Sequence, residues 1–189
     1  MMPFSTTEPF PLPKNILKES YLIQTTRDDY RIAWLTALAI TIHIAESALP
    51  SPLPGVKPGL ANVITVAVLI LFGWRMAAWV NLLRVLAGSL LIGTFLSPTF
   101  IISLSGALAS TAILALLSQL PGQGCSPIGY SVAAAQSHIM AQFWVAYWLF
   151  IQHEGVFYLL PLLMTAAFVF GTISGLIVFA MLTKLPSDV

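Results

Sequence analysis

The apolar chain is interrupted by the stretch HIAESALPSPLPGVKPGLAN at residues 43–62. It carries Glu46, an acid inside an otherwise apolar helical pattern, followed by four prolines and Lys57. A charge inside a membrane helix and an irregular backbone at membrane depth both cost free energy, so both mark functional sites. The stretch therefore predicts one wall and the lid of a binding site.

The composition places the chain in a lipid bilayer. Of its 189 residues, 58% are hydrophobic and only 8% are charged, and the mean hydropathy is +0.89. Soluble domains carry about 25% charged residues. A net charge of +1 gives no support for nucleic-acid binding, and the single cysteine, Cys125, can form neither an internal disulfide nor a metal site by itself.

The hydropathy pattern predicts an all-α polytopic membrane protein, a compact bundle of about six transmembrane helices. The apolar segments cover residues 32–49, 60–73, 76–96, 100–117, 128–151 and 156–182. They define a transmembrane domain at residues 32–184, between an N-terminal tail at residues 1–31 and a short C-terminal tail at residues 185–189. The second segment is short, which predicts that the proline-rich loop dips inward beside a cavity.

The cations predict that both termini are cytoplasmic. An inner N-terminus leaves Lys57 in an outer loop and Arg84 within the membrane. It places the other cations on the cytoplasmic side, as the positive-inside rule requires: Lys14, Lys18, Arg27, Arg31, Arg75 and Lys184.

Helical spacing places polar residues on one face of three helices. These faces are Thr36, His43, Glu46 and Ser47 on the first helix, Asn81, Arg84 and Gly88 on the third, and Ser131, His138 and Gln142 on the fifth. We predict a substrate pocket between the first, third, fifth and sixth helices. Its candidate residues are His43, Glu46, Lys57, Asn62, Arg84, His138 and Gln142.

Two alternatives remain open for this pocket. Glu46 and Arg84 either contact a ligand or form an ion pair that only stabilises the bundle. His43 and His138 have no close third ligand in the sequence, so we predict no metal site.

Small residues indicate close helix contacts. Gly171 and Gly175 form a GxxxG pattern in the sixth helix, and we interpret them as internal packing. Ser103, Ser105, Gly106 and Ser110 in the fourth helix are interpreted in the same way. Ala33 and Ala37 in the first helix fit either internal packing or a surface for another membrane protein.

Catalytic and cofactor motifs are not supported by the sequence. Prenyl-transferring enzymes hold magnesium with a DDxxD motif, whereas Asp28 and Asp29 are followed by Tyr30, Arg31 and Ile32. We also find no phosphate-binding glycine loop. The sequence therefore predicts no catalytic residues and no cofactor.

Two segments carry a resemblance to a known family. PGVKPGLANVITVAVLILFG at residues 54–73 and LLRVLAGSLLIGTFLSPTF at residues 82–100 resemble the Gx transporter family, also named heptaprenyl diphosphate synthase component I. That family is similar to the substrate-binding S-components of energy-coupling factor transporters. The resemblance implies a multi-pass protein of the bacterial inner membrane with an outward-facing pocket.

The resemblance also implies partners. It matches Ala33 and Ala37 to the small-residue patch with which S-components dock onto a membrane coupling subunit that works with ATPases. The resulting hypothesis is uptake of an unidentified small molecule. The family's other name implies an alternative, a membrane accessory subunit of heptaprenyl or polyprenyl diphosphate synthesis, and a purely structural membrane partner is a third.

Overall fold

The computed structural model describes residues 27–48, 60–120 and 125–184, which form an all-helical protein. Lys57, the prolines of the first loop, residues 1–26 of the predicted N-terminal tail and the whole predicted C-terminal tail lie outside the described residues. The helices are α1 (Arg27–Ala48), α2 (Leu60–Phe72), α3 (Trp74–Ile92), α4 (Pro98–Ser118), α5 (Pro127–Ala146) and α6 (Leu160–Leu182). The predicted all-α class with six helices is confirmed.

Local sequence explains where several helices begin and end. Ser97 and Ser126 cap α4 and α5 by accepting backbone N–H groups three residues later, and a proline follows each serine at the first helical position. Gly73, with φ of 89°, is the only residue between α2 and α3, and Gly93 ends α3 with φ of 78°. Both glycines adopt backbone angles that residues with a Cβ rarely take.

The short helix α2 lies inside the bundle. It packs against α1, α3, α5 and α6, and all seven residues from Val63 to Leu69 are buried. The remaining contacts join α1 to α3, α3 to α4, α4 to α5 and α5 to α6. An apolar core around α2 therefore fills one part of the bundle, and residues such as Val80, Leu114, Ala134 and Val178 complete it.

One end of the bundle collects the described cations apart from Arg84. Arg31, near the start of α1, lies over the ring of Phe72 at the end of α2, with 5.1 Å between the guanidinium carbon and the ring centroid. Arg75 lies over Trp74 at the start of α3. Lys184 follows the end of α6, which packs against the start of α5.

The GxxxG pattern of α6 forms an internal helix contact, as predicted. A Cβ at Gly175 would lie 2.5 Å from Cα of Ile128, and one at Gly171 would lie 3.0 Å from Cα of Val132. Both are backbone atoms of α5, which cannot move without moving that helix. The two glycines therefore allow α5 and α6 to approach closely.

The opposite end of α5 has an irregular, aromatic continuation. A π-helical turn (Tyr147–Ile151) and a 3₁₀ segment (Glu154–Leu159) lead into α6. The ring of Phe157 packs edge-to-face against Phe143, Trp144 and Tyr147, at centroid distances of 5.4, 6.1 and 5.0 Å. These rings fix the return of the chain into α6.

Three of the described helical segments are long and apolar enough to cross a membrane by length and composition: Trp74–Ile92, Pro98–Ser118 and Glu154–Leu182. The helix α2 is equally apolar but shorter, and α1 is interrupted by charged residues at its start and by Glu46. Large apolar side chains are exposed on the outer surfaces of the bundle, including Trp34, Leu91 and Phe179. These features are those of a helical membrane protein.

Candidate functional site

A hydrogen-bonded anchor joins α3 to α4 in the bundle interior. Arg84 donates from Nη2 to Oδ1 of Asn81, one turn earlier, at 2.8 Å. Nδ2 of Asn81 donates to α4, with distances of 3.1 Å to the carbonyl oxygen of Ala107, 3.2 Å to Oγ of Ser110 and 2.8 Å to Oγ1 of Thr111. Because the α4 groups accept hydrogen bonds, the side-chain amide of Asn81 is oriented with its NH₂ group toward α4 and its oxygen toward Arg84.

The guanidinium of Arg84 is only partly satisfied by this anchor. The side chain is 7% exposed, and Nε has no hydrogen-bond partner in the described part of the chain. An N–H donor left without an acceptor inside a protein costs about 1–3 kcal/mol. Such a donor requires an acceptor that the described residues do not supply.

Glu46 of α1 is buried beside the same group. It is 4% exposed, and its charge acts on the guanidinium of Arg84. The sequence left open whether these two residues contact a ligand or form an ion pair, and the structure places them within electrostatic reach. An acid and a base that are buried within electrostatic reach of each other cost less in a membrane than either would alone.

Two histidines reach the cluster, and each lies against a glycine of a neighbouring helix. A Cβ at Gly88 of α3 would lie 3.1 Å from Cδ2 of His43, and one at Gly106 of α4 would lie 2.8 Å from Nε2 of His138. The ring of His138 also hydrogen-bonds the backbone of Gly106, and both His43 and Arg84 act on it electrostatically. The glycines therefore provide the space that brings these rings to the centre of the bundle.

Gln142 of α5 follows His138 by one helical turn, and its side chain also lies against Gly106 of α4. Its Cγ would lie 2.8 Å from a Cβ at Gly106. By contrast, Gln136 faces α6, where its Nε2 donates to the carbonyl oxygen of Met164 at 3.1 Å. The predicted polar face of α5 with His138 and Gln142 agrees with these contacts.

The structure therefore brings together five of the seven predicted site residues: His43, Glu46, Arg84, His138 and Gln142. We call them, together with Asn81, the central polar cluster. Asn62 is half-buried in the first turn of α2, and its predicted role in ligand binding stays a prediction. Lys57 lies outside the described residues, so its predicted role in a lid stays a prediction.

The fourth helix has a role that the sequence analysis missed. We expected α6 to complete the site and read Gly106 and Ser110 as packing residues, but the acceptors for Asn81 and the space for His138 both come from α4. The sequence carried only a weak signal for this role of α4. Asn81 stands three residues before Arg84, a spacing that places both polar side chains on one face of α3 but does not show which helix that face meets.

Metal ligation has no support from the described side chains. Within residues 27–48, 60–120 and 125–184, no group of three or more His, Cys, Asp or Glu residues is arranged to hold an ion. Cys125 is half-buried at the start of α5, where it packs against the core around α2.

Comparison with known proteins gives one result. The family model described as heptaprenyl diphosphate synthase component I matches residues 35–181, a range that runs from α1 to the end of α6. No curated protein and no solved structure matches the chain.

Proposed function

The chain belongs to the heptaprenyl diphosphate synthase component I family, and from this premise we propose that it is a membrane substrate-binding protein for the uptake of a small molecule. In this proposal the ligand binds at the central polar cluster, and a partner ATPase module supplies the energy. The chain lies in the bacterial inner membrane with its six helices crossing the bilayer. The end of the bundle that carries Arg31 and Arg75 faces the cytoplasm, in agreement with the positive-inside rule.

One observation carries the proposal. The buried Arg84 lies among other ionisable side chains, and its Nε–H donor has no hydrogen-bond partner in the described part of the chain. An ion pair that only clamps helices together gains its stability by satisfying its donors and acceptors. Arg84 is held by Asn81 and lies within electrostatic reach of Glu46, yet its Nε–H has no acceptor in the described part of the chain. A ligand atom in the cluster would supply that acceptor.

The site draws its polar side chains from three helices that are separate in sequence, and a fourth helix supports it. His43 and Glu46 come from α1, Arg84 from α3, and His138 from α5, while α4 holds Asn81 in place. Polar groups that converge within an apolar bundle are the usual form of a small-molecule site between helices. Sites at mid-membrane depth are common in transport proteins.

Native mass spectrometry of the gently purified protein tests ligand binding. We expect a retained small molecule in the wild-type protein and its loss in the Arg84→Met variant. If the pair were only structural, Glu46→Gln and Arg84→Met would change the stability of the protein and leave its ligand occupancy unchanged. Equal ligand occupancy in the wild type and both variants would therefore contradict the proposal.

Coupling to a partner is proposed for the outer face of α1. Ala33 and Ala37 are exposed on this helix and lie one turn apart, so they form a smooth surface beside Trp34 and Leu38. A helix of a membrane coupling subunit could approach this surface closely.

Bulky substitutions test the docking surface. Ala33→Leu and Ala37→Leu should lower uptake into cells by about tenfold or more while leaving the ligand bound to the isolated protein, because they obstruct only the partner. Ala180→Leu, at an exposed alanine of α6 near the same end, is the matched control. Unchanged uptake in both α1 variants would rule out docking at this face.

The family description supports a second candidate, a membrane accessory subunit of polyprenyl diphosphate synthesis. The matching model bears that name, and an apolar bundle offers a surface for a long isoprenoid chain. Prenyl elongation by a soluble synthase subunit, measured with and without the purified membrane protein, separates the two candidates. Elongation that requires the membrane protein would favour the synthase role.

A further inference from the structure

The α5–α6 turn, residues 147–159, exposes apolar side chains in every direction. Its π-helical part contains Trp148, Leu149, Phe150 and Ile151, which are between 43% and 66% exposed. Consecutive residues of a helix point about 80–100° apart, so these four side chains cover the whole circumference of the turn. No side chain of residues 147–159, all of which the structure describes, is buried. A turn that is apolar on all sides requires an apolar medium on all sides.

Side chains of the α5–α6 turn also satisfy its own backbone. Gln152 donates from Nε2 to the carbonyl oxygen of Trp148 at 3.1 Å, and its backbone N–H donates to the carbonyl oxygen of Tyr147 at the same distance. Nδ1 of His153 accepts the N–H of Gly155 at 3.0 Å. In water the end groups of a helix can bond to solvent, whereas in lipid they need partners within the chain. These hydrogen bonds therefore suit a turn that lies in the membrane surface.

The length of α5 brings the turn to the membrane surface. The 20 residues of α5 and the five residues of the π-helical turn extend about 36 Å, or about 34 Å at the average tilt of a membrane helix. The hydrocarbon core of a bilayer is about 30 Å thick. Because α5 begins at the end of the bundle that carries Arg31 and Arg75, the π-helical turn lies about 4 Å beyond the core on the other side. That position is the layer of lipid headgroups.

Lipid suits this surface better than a protein partner does. A protein partner covers one side of a segment, whereas the exposed side chains of residues 148–151 surround the axis of the turn. Trp and Tyr concentrate at membrane interfaces, and the turn exposes Trp148 and Tyr158, the latter to 88%. The exposed apolar surface continues through Leu159 to Leu162 of α6, without a charged residue between them. The turn and the outer surface of α6 thus form one continuous apolar surface.

We propose that the α5–α6 turn is a lipid anchor in the leaflet opposite the end that carries Arg31 and Arg75. Residues 148–151 lie in the headgroup layer at its boundary with the acyl chains, and Glu154 lies in the adjoining water. The ring of Phe157 joins the two arms of the anchor, because it packs against Tyr147 at a centroid distance of 5.0 Å. The anchor fixes the depth of α5 and α6 in the bilayer. It depends on neither the ligand nor the partner of the proposed function.

The reactivity of single cysteines in lipid nanodiscs tests the anchor. Cys125, the single cysteine of the chain, is replaced with serine, and Leu149→Cys and Glu154→Cys are introduced separately. Both positions are exposed in the structure, so only the surrounding medium distinguishes them. The probe is a charged maleimide that does not enter lipid, and phosphatidylcholine nanodiscs leave both membrane faces open to it.

We expect Leu149→Cys to react at least about fivefold more slowly than Glu154→Cys, because the reactive thiolate is disfavoured in an apolar medium. The two variants should react at equal rates after unfolding in detergent. A smaller difference in the folded protein would overturn the proposal. It would also do so if the true cover were a protein, since the purified protein lacks that partner and Leu149→Cys would face water.

Tryptophan fluorescence keeps the test decisive if a cysteine variant does not fold. Trp148 is retained as the single tryptophan by replacing the other four with phenylalanine: Trp34, Trp74, Trp79 and Trp144. A second variant retains Trp144 instead, which lies about 6 Å nearer the membrane centre. Phosphatidylcholine with bromine near the headgroup should quench Trp148 most, and bromine deeper in the chains should quench Trp144 most. Quenching of Trp148 by iodide in water, with none by brominated lipid, would refute the anchor.

Discussion

Replacing Gly106 with alanine should displace His138 and Gln142 without unfolding the protein. The added Cβ would lie 2.8 Å from Cε1 and Nε2 of His138 and from Cγ of Gln142. Ordinary van der Waals contact begins at 3.4 Å, so these atoms must retreat by about 0.6 Å. They belong to side chains and not to the backbone, which is why the change should act on the site more than on the fold.

The size of the effect follows from two opposing contributions. Overpacking an interior by one methyl group costs about 1–3 kcal/mol. Alanine in place of a helical glycine recovers about 0.5–1 kcal/mol. The net loss of unfolding free energy is about 0–2.5 kcal/mol, which lowers the unfolding midpoint by up to about 10 °C for a chain of this size.

Thermal unfolding, followed by a dye that reacts with Cys125 when it becomes exposed, measures this loss, and native mass spectrometry measures ligand occupancy in the same samples. Gly129→Ala is the matched control, because a Cβ there meets nothing closer than 3.5 Å. Gly88→Ala should be milder than Gly106→Ala, since its nearest contact is Cδ2 of His43 at 3.1 Å. We expect ligand occupancy to fall in Gly106→Ala and to stay unchanged in Gly129→Ala.

A double-mutant cycle identifies the cause of the loss. If the clash with the imidazole is responsible, Gly106→Ala should cost less in a His138→Ala background than in the wild type. Equal costs in the two backgrounds would refute the reasoning, as would full ligand occupancy in Gly106→Ala.

Two further substitutions test the supports of the site by their effect on thermal unfolding. Gly175→Ala should cost about 2–3 kcal/mol, because its Cβ would lie 2.5 Å from the backbone of α5; a loss no larger than that of Gly129→Ala would contradict this contact. Asn81→Asp should cost about 1–3 kcal/mol although it preserves shape, because a carboxylate cannot donate to α4 while it still accepts from Arg84. Thr111→Val removes one of three acceptors and should cost less; the reverse order would exclude Asn81 as the anchor.

The sequence by itself determined the class of protein and the inventory of buried polar groups. The low fraction of charged residues and the six apolar segments are local properties, and lipid imposes helices on such segments because their backbone must satisfy its own hydrogen bonds. The spacing of His138 and Gln142 follows in the same way from helical geometry. Each of these inferences requires only residues that are near one another along the chain.

Only the tertiary structure decided which helices meet at the site. Asn81 depends on acceptors 26–30 residues further along the chain, and the sequence carries no periodic signal for such contacts. Gly88 and Gly106 have no side chains, so their importance is visible only from the histidines that occupy the space beside them. The sequence of residues 43–62 shows that burying Glu46 costs free energy. Only the packing of α1 against α3 shows that its charge acts on Arg84.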